Sequence, residues 1–167
     1  MASATHMSLS QKQKSWPMES KILIIEDNSA KLERLKNFCE KQYPGIQITE
    51  RPSYISAQRE IVQNGNAYDL ILLDVSMTNY DTSEEENGGQ PKPLAGMSIL
   101  RFMLLAKITT PVIVVTMYEN FVDGVKIKQL DRNFKTQYPD IYEGYVYYSH
   151  KNNDWKKALK NLMDTVL

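Results

Sequence analysis

Leu70-Ile71-Leu72-Leu73-Asp74-Val75-Ser76-Met77 decides how the rest of the chain is read. Four consecutive large aliphatic residues form a strand buried on both faces, the pattern of a parallel sheet. The run ends on a carboxylate. An Asp at that point lies at the carboxyl edge of the sheet, where open α/β folds place their ligands. Taken alone, Asp74 could simply open a loop.

Two other apolar runs end in the same way. Lys21-Ile22-Leu23-Ile24-Ile25 runs into Glu26-Asp27, and Pro111-Val112-Ile113-Val114-Val115 runs into Thr116. Between them the spacing predicts a helix beginning at Asn28 or Ser29, with Leu32, Leu35, Phe38 and Cys39 on one face and Tyr43-Pro44-Gly45 as its stop. Ile46 to Thr49 alternates as a short edge strand. A second helix starts at Ser53, carries Ile55, Ile61 and Val62, and ends at Asn64-Gly65.

After Asp74, residues Thr78 to Leu94 have no apolar period; Asp81, Glu84 to Glu86, Gly88-Gly89, Pro91 and Pro93 predict a long loop. Gly96 opens a third helix with Ile99, Leu100, Phe102, Met103 and Leu104. A fourth runs from Phe121 to about Tyr138, and Gly144 to Tyr148 is the last strand. Asp154 caps a final helix bearing Trp155, Leu159, Leu162, Met163 and Val166. Five βα units with right-handed crossovers fold into a three-layer, doubly wound α/β sandwich.

The chain has 167 residues, enough for one domain with a proper core. Lys+Arg and Asp+Glu are both 20, so net charge points neither to nucleic acid nor to an anionic membrane. No apolar run approaches the ~20 residues of a membrane span. The single cysteine, Cys39, excludes an internal disulfide and fits a reducing, cytoplasmic compartment. Residues 1–20 are polar and aperiodic, and Met1 to Met7 reads as a vector-derived leader outside the fold.

In a parallel sheet the three strand ends share one edge, so Glu26, Asp27, Asp74 and Thr116 converge. Clustered carboxylates repel, and a hard divalent cation relieves the repulsion. Mg²⁺ takes one or two carboxylates and keeps positions for water and a phosphoryl oxygen. Such a site suits phosphoryl transfer onto a carboxylate. There is no Gly-rich phosphate loop, so no nucleotide site is expected.

Lys21 to Asp27, Leu72-Leu73-Asp74 and Val114-Val115-Thr116 resemble the receiver (CheY-like) domains of two-component response regulators, over roughly Lys21 to Leu167. The resemblance implies a flavodoxin-like fold, a five-stranded parallel sheet of order 2-1-3-4-5. It implies a phosphoacceptor at Asp74 and Mg²⁺ held by Asp27, Asp74 and the Ser76 carbonyl, with Glu26 acting through water. Thr116 would bond the phosphoryl group. The partners implied are a histidine kinase or phosphotransfer protein and a downstream protein, with no nucleic acid and no membrane.

The chain departs from the family's pattern at four places. Met77 to Ala95 is longer than the usual Pro-Gly turn. The stretch between Thr116 and the last strand is also long. Met117 stands where the family has a small residue, and the Lys-Pro pair after the last strand is missing, since Asn152 follows Lys151. Two registers are open for the phosphoryl cation. One matches Gly144-Tyr145-Val146 to the last strand, which puts Tyr148 in the lysine's place. The other, the one expected here, uses Lys151, with Tyr148 as switching aromatic. The function expected is a phosphorylation-dependent switch that catalyses its own Mg²⁺-dependent phosphorylation and dephosphorylation. The alternative is a receiver-like binding module that is never phosphorylated; an independent metal-dependent hydrolase lacks an evident base or substrate pocket.

Overall fold

The computed structural model describes residues 19–79, 81, 91–92, 94–121 and 124–167. The leader therefore lies outside the described residues, as does most of the acidic insertion. Chain order begins with β1 (Lys21–Ile25), α1 (Ser29–Gln42), β2 (Gln47–Arg51) and α2 (Tyr54–Asn64). It continues through β3 (Leu70–Leu73), the two-residue strands β4 (Met77–Thr78) and β5 (Pro91–Lys92), and α3 (Ala95–Leu105). The chain finishes with β6 (Val112–Thr116), α4 (Ile127–Gln137), β7 (Tyr142–Tyr147) and α5 (Asp154–Val166).

The main sheet has the order β2-β1-β3-β6-β7, and every neighbouring pair is parallel. Counting only its own five strands, this is the expected 2-1-3-4-5 order of a flavodoxin-like fold. β1, β3 and β6 are buried on both faces, which is why they read as unbroken aliphatic runs. Alternate residues feed two cores. Leu23, Ile25, Ile71, Leu73, Val112 and Val114 face α2, α3 and α4. Ile22, Ile24, Leu70, Leu72, Ile113 and Val115 face α1 and α5.

Local chemistry sets most helix ends. The Asn28 side chain accepts the Lys31 N–H at 2.9 Å and starts α1. Ser53 and Ser56 exchange bonds in a capping box at the start of α2. The structure corrects several boundaries. α4 begins at Ile127 and not at Phe121, because Phe121 N–H bonds to the Val125 carbonyl and Gly124 takes φ +73° in a turn. β7 starts two residues earlier than expected. The cap of α5 is Asn153, without a side-chain bond, and Asp154 is the helix's first residue. Val62, one of the apolar positions of α2, is 64% exposed.

The insertion after Asp74 is not loop throughout. β4 and β5 pair antiparallel, Met77 with Lys92 and Thr78 with Pro91, so its two ends are zipped beside the sheet edge. Asn79 and Asp81 tie the same segment to the start of α2: Ile55 N–H donates to the Asn79 carbonyl at 3.0 Å, and Ser53 Oγ donates to Asp81 Oδ1 at 2.5 Å. Among the described residues, no helix is long and apolar enough to cross a membrane.

Candidate functional site

β1, β3 and β6 run in parallel register, Ile25 opposite Leu73 and Leu73 opposite Val114. Their next residues therefore emerge together at the carboxyl edge. Glu26, Asp27 and Asp74 each offer an oxygen there, and these oxygens lie within 4.8 Å of one another. Glu26 and Asp74 are buried, while Asp27 is exposed.

Each carboxylate is held differently. Glu26 Oε1 accepts the Asn28 N–H at 2.9 Å. Asp74 Oδ1 accepts the Val75 N–H at 2.6 Å, and Asp27 Oδ2 accepts the Thr78 N–H at 2.9 Å. The last bond fastens the stem of the insertion to the acidic cluster. Thr116 is fully buried, and its Oγ1 accepts the Tyr118 N–H at 3.2 Å, which leaves its own proton to donate. Met117 is half-buried and packs against the α1–α5 core. Gly96, in the first turn of α3, presses on the end of β3: its N–H bonds to the Val75 carbonyl, and a Cβ there would meet the Asp74 carbonyl oxygen at 2.8 Å.

The cluster contains an ammonium that the sequence reading missed. Lys31, from the first turn of α1, is fully buried. Its Nζ lies 2.5 Å from Glu26 Oε2, 3.2 Å from Asp74 Oδ2 and 2.7 Å from the Val115 carbonyl oxygen. Those three contacts use all three of its protons. A buried lysine is tolerable only when paired in this way. The signal was present in the sequence: Lys31 shares the i, i+4, i+7 stripe of Leu35 and Phe38, where a charge has no solvent to face.

Burial and charge pull against each other here. Desolvation raises Glu26 to about 7, with Lys31 acting downward and Asp74 upward. Asp74 is also raised, first by burial, against the lowering pull of Lys31. Burial disfavours the Lys31 ammonium, but attraction to Asp74 and Glu26 outweighs it and lifts Lys31 above the ordinary lysine value.

The expected cation, Lys151, lies elsewhere. It is exposed in the turn before α5, with its backbone N–H on Ser149 Oγ at 3.1 Å. The observed register is the other one. Thr116 pairs with Tyr147, and the Tyr148 N–H donates to the Thr116 carbonyl at 2.8 Å, the alignment in which Tyr148 follows the end of the last strand. Trp155 and Leu159 are buried as that register requires. The Tyr148 ring sits over Lys31 Nζ, 5.8 Å from its centroid, and packs on Trp155 at 5.0 Å.

No family model matches the chain. It is, however, 33% identical over 143 residues to the Detocs response regulatory protein DtcB of Enterobacter cloacae (strain JD6301), covering 83% of this chain and 95% of that protein. The chain belongs to the response regulator receiver family. This receiver domain is also 31% identical over 147 residues to the protein y4jR of Sinorhizobium fredii, covering 84% of the one and 95% of the other. Among solved structures it resembles the receiver domain of a sensor histidine kinase from Pseudomonas aeruginosa PAO1, which holds a magnesium ion in its active-site cleft. That match has a TM-score of 0.57 at 19% identity and covers 89% of this receiver and 98% of the other chain.

Proposed function

We propose that this receiver is a phosphorylation-dependent signalling switch that takes a phosphoryl group on Asp74 from a histidine kinase or phosphotransfer protein and passes the signal to a downstream protein. The observation that carries this reading is the convergence of Glu26, Asp27 and Asp74 within 4.8 Å, with buried Thr116 on the adjoining strand. A cytoplasmic location fits the single free thiol, Cys39.

The donor set suits Mg²⁺. With all three carboxylates ionised, they and the Lys31 ammonium leave two negative charges, the charge of one divalent cation, and a bound cation would favour that ionised state of Glu26. Both Glu26 oxygens are already engaged, by Asn28 and Lys31. The family resemblance makes Asp27, Asp74 and the Ser76 carbonyl the residues that would hold the ion directly, with Glu26 acting through water. Mg²⁺, when bound, neutralises charge on the transferring phosphoryl oxygens.

In the transfer, an Asp74 carboxylate oxygen attacks phosphorus and a P–O bond forms as the P–N bond of the donor's phosphohistidine breaks. The bonding pair returns to the imidazole nitrogen, and a proton already on the other ring nitrogen leaves that imidazole neutral. Thr116 donates its hydroxyl proton to a phosphoryl oxygen. The Val75 N–H holds the Asp74 side chain in place during attack.

Incubation with Mg²⁺ and phosphoramidate, followed by intact mass, tests this directly. Wild type should gain one phosphoryl group and Asp74→Asn none. Equal labelling of Asp74→Asn would sink the assignment. The alternative, a binding module that is never phosphorylated, draws support from Lys31 already neutralising Asp74 in an internal ion pair. Beryllium fluoride with Mg²⁺ separates the two, because a ligand specific to the folded phosphoryl site raises Tm and a bystander does not.

A further inference from the structure

We propose that Lys31, reaching in from the first turn of α1, is the catalytic cation of the Asp74 phosphoryl site, and that Tyr148 fills the place at the end of β7 from which the family's lysine acts. This rests on Asp74 being the phosphoacceptor.

The geometry leaves little room for another donor of positive charge. Lys31 Nζ is 3.2 Å from Asp74 Oδ2, so a phosphoryl group bonded to Asp74 stands within reach of the same ammonium. Tyr148 cannot supply the charge, and its hydroxyl is directed to His150 Nδ1 at 3.3 Å. Lys151 is exposed. Phosphorylation turns the Asp74 monoanion into an acyl phosphate dianion, adding one negative charge beside a fully buried cation. Next to buried groups, a preplaced charge of opposite sign stabilises that developing charge more than bulk solvent does.

The helical origin of this lysine also has a packing reason. Tyr148 is 1% exposed and packs at a tilt against Trp155, which in turn meets Phe38 of α1 edge-on at 5.4 Å. This aromatic column closes the α1–α5 core where a strand-end lysine would otherwise stand. Lys31 enters beneath it, anchored by the Val115 carbonyl at 2.7 Å.

The step concerned is attack of an Asp74 oxygen on phosphoramidate. A P–O bond forms, the P–N bond breaks, and the already protonated nitrogen leaves as ammonia with the bonding pair. Labelling rates by intact mass, with Mg²⁺ saturating, compare wild type, Lys31→Met, Tyr148→Lys and the double variant Lys31→Met/Tyr148→Lys. Lys31→Met should label at least tenfold more slowly and lose its thermal shift with beryllium fluoride. The double variant, which returns the ammonium to the strand end, should recover much of both. Should Lys31→Met fail to fold because buried Glu26 is left unpaired, Lys31→Met/Glu26→Gln is compared with Glu26→Gln alone, and the same tenfold gap is expected. Labelling of the folded Lys31 variant at the rate of its parent would overturn the proposal while leaving Asp74 as acceptor. Absence of labelling in wild type would instead remove the phosphoacceptor reading beneath it.

Discussion

Gly96→Ala should destabilise the protein although alanine is the better helix former. Gly96 is the second residue of α3, and in an open helix alanine would gain up to about 1 kcal/mol. The site is not open. A Cβ there meets the Asp74 carbonyl oxygen at 2.8 Å and the Val75 Cα at 3.0 Å. Both are backbone atoms of the Asp74–Val75 segment and cannot swing aside like a side-chain tip. Forced overpacking typically costs ~1–3 kcal/mol, which exceeds the propensity gain. A net loss of up to about 2 kcal/mol lowers Tm by up to roughly 8 °C in a domain of this size. Thermal and urea unfolding measure the loss. Phosphodonor labelling measures its local consequence, since the atom displaced belongs to Asp74 itself, and labelling should slow as well. An equal or higher Tm with unchanged labelling would show that α3 retreats from β3 freely, and the packing account of Gly96 would be wrong.

Three further outcomes follow from the cores and their edges. Burial pushes the Cys39 thiol up to about 12, so at pH 8 the native protein should resist thiol reagents and react only on unfolding; the thiol's contribution to stability is complete below its ordinary 9.0 and is lost as pH rises towards 12. Rapid native-state labelling at pH 8 would contradict this. Glu60 is desolvated, yet bonds from Tyr68 at 2.5 Å, Asn64 at 2.9 Å and Arg51 outweigh that and hold its carboxyl below the usual range. Its stabilisation should be present above the ordinary carboxylate range and vanish as pH falls through the depressed value; Glu60→Gln should cost about 1.5–3 kcal/mol at pH 7 in urea titrations and much less in acid. Trp155 has a buried Nε1 with no hydrogen-bond partner among the described residues. Trp155→Ala should cost about 3–5 kcal/mol, and Trp155→Phe clearly less, because phenylalanine carries no N–H to desolvate; equal costs would refute that explanation.

The sheet was legible in the sequence because β1, β3 and β6 are buried on both faces and are spelled in uninterrupted aliphatics. Parallel strands place their carboxyl ends on one edge, so Glu26, Asp27, Asp74 and Thr116 could be grouped from sequence order alone. The start of α4 was not legible. Phe121 and Val125 are apolar enough to extend a helical pattern, but a bridge between Asn120 and Lys126 takes that segment into a turn. Pairing of β4 with β5 was equally hidden, since two-residue strands carry no periodicity.

The cation was decided only by tertiary structure. Local spelling marks Lys151 as a lysine near the end of the last strand, and nothing in its neighbours says that it stays in solvent. Lys31 lies 43 residues before Asp74 and 84 before Val115, and only the packing of α1 against the sheet edge brings its ammonium to both. A charge on an apolar stripe hints at burial, but the partners that make the burial tolerable come from strands far along the chain. Sequence order determined which carboxylates meet. The three-dimensional fold determined which ammonium answers them, because electrostatic pairing depends on distance in space and side-chain burial, neither of which is local in the chain.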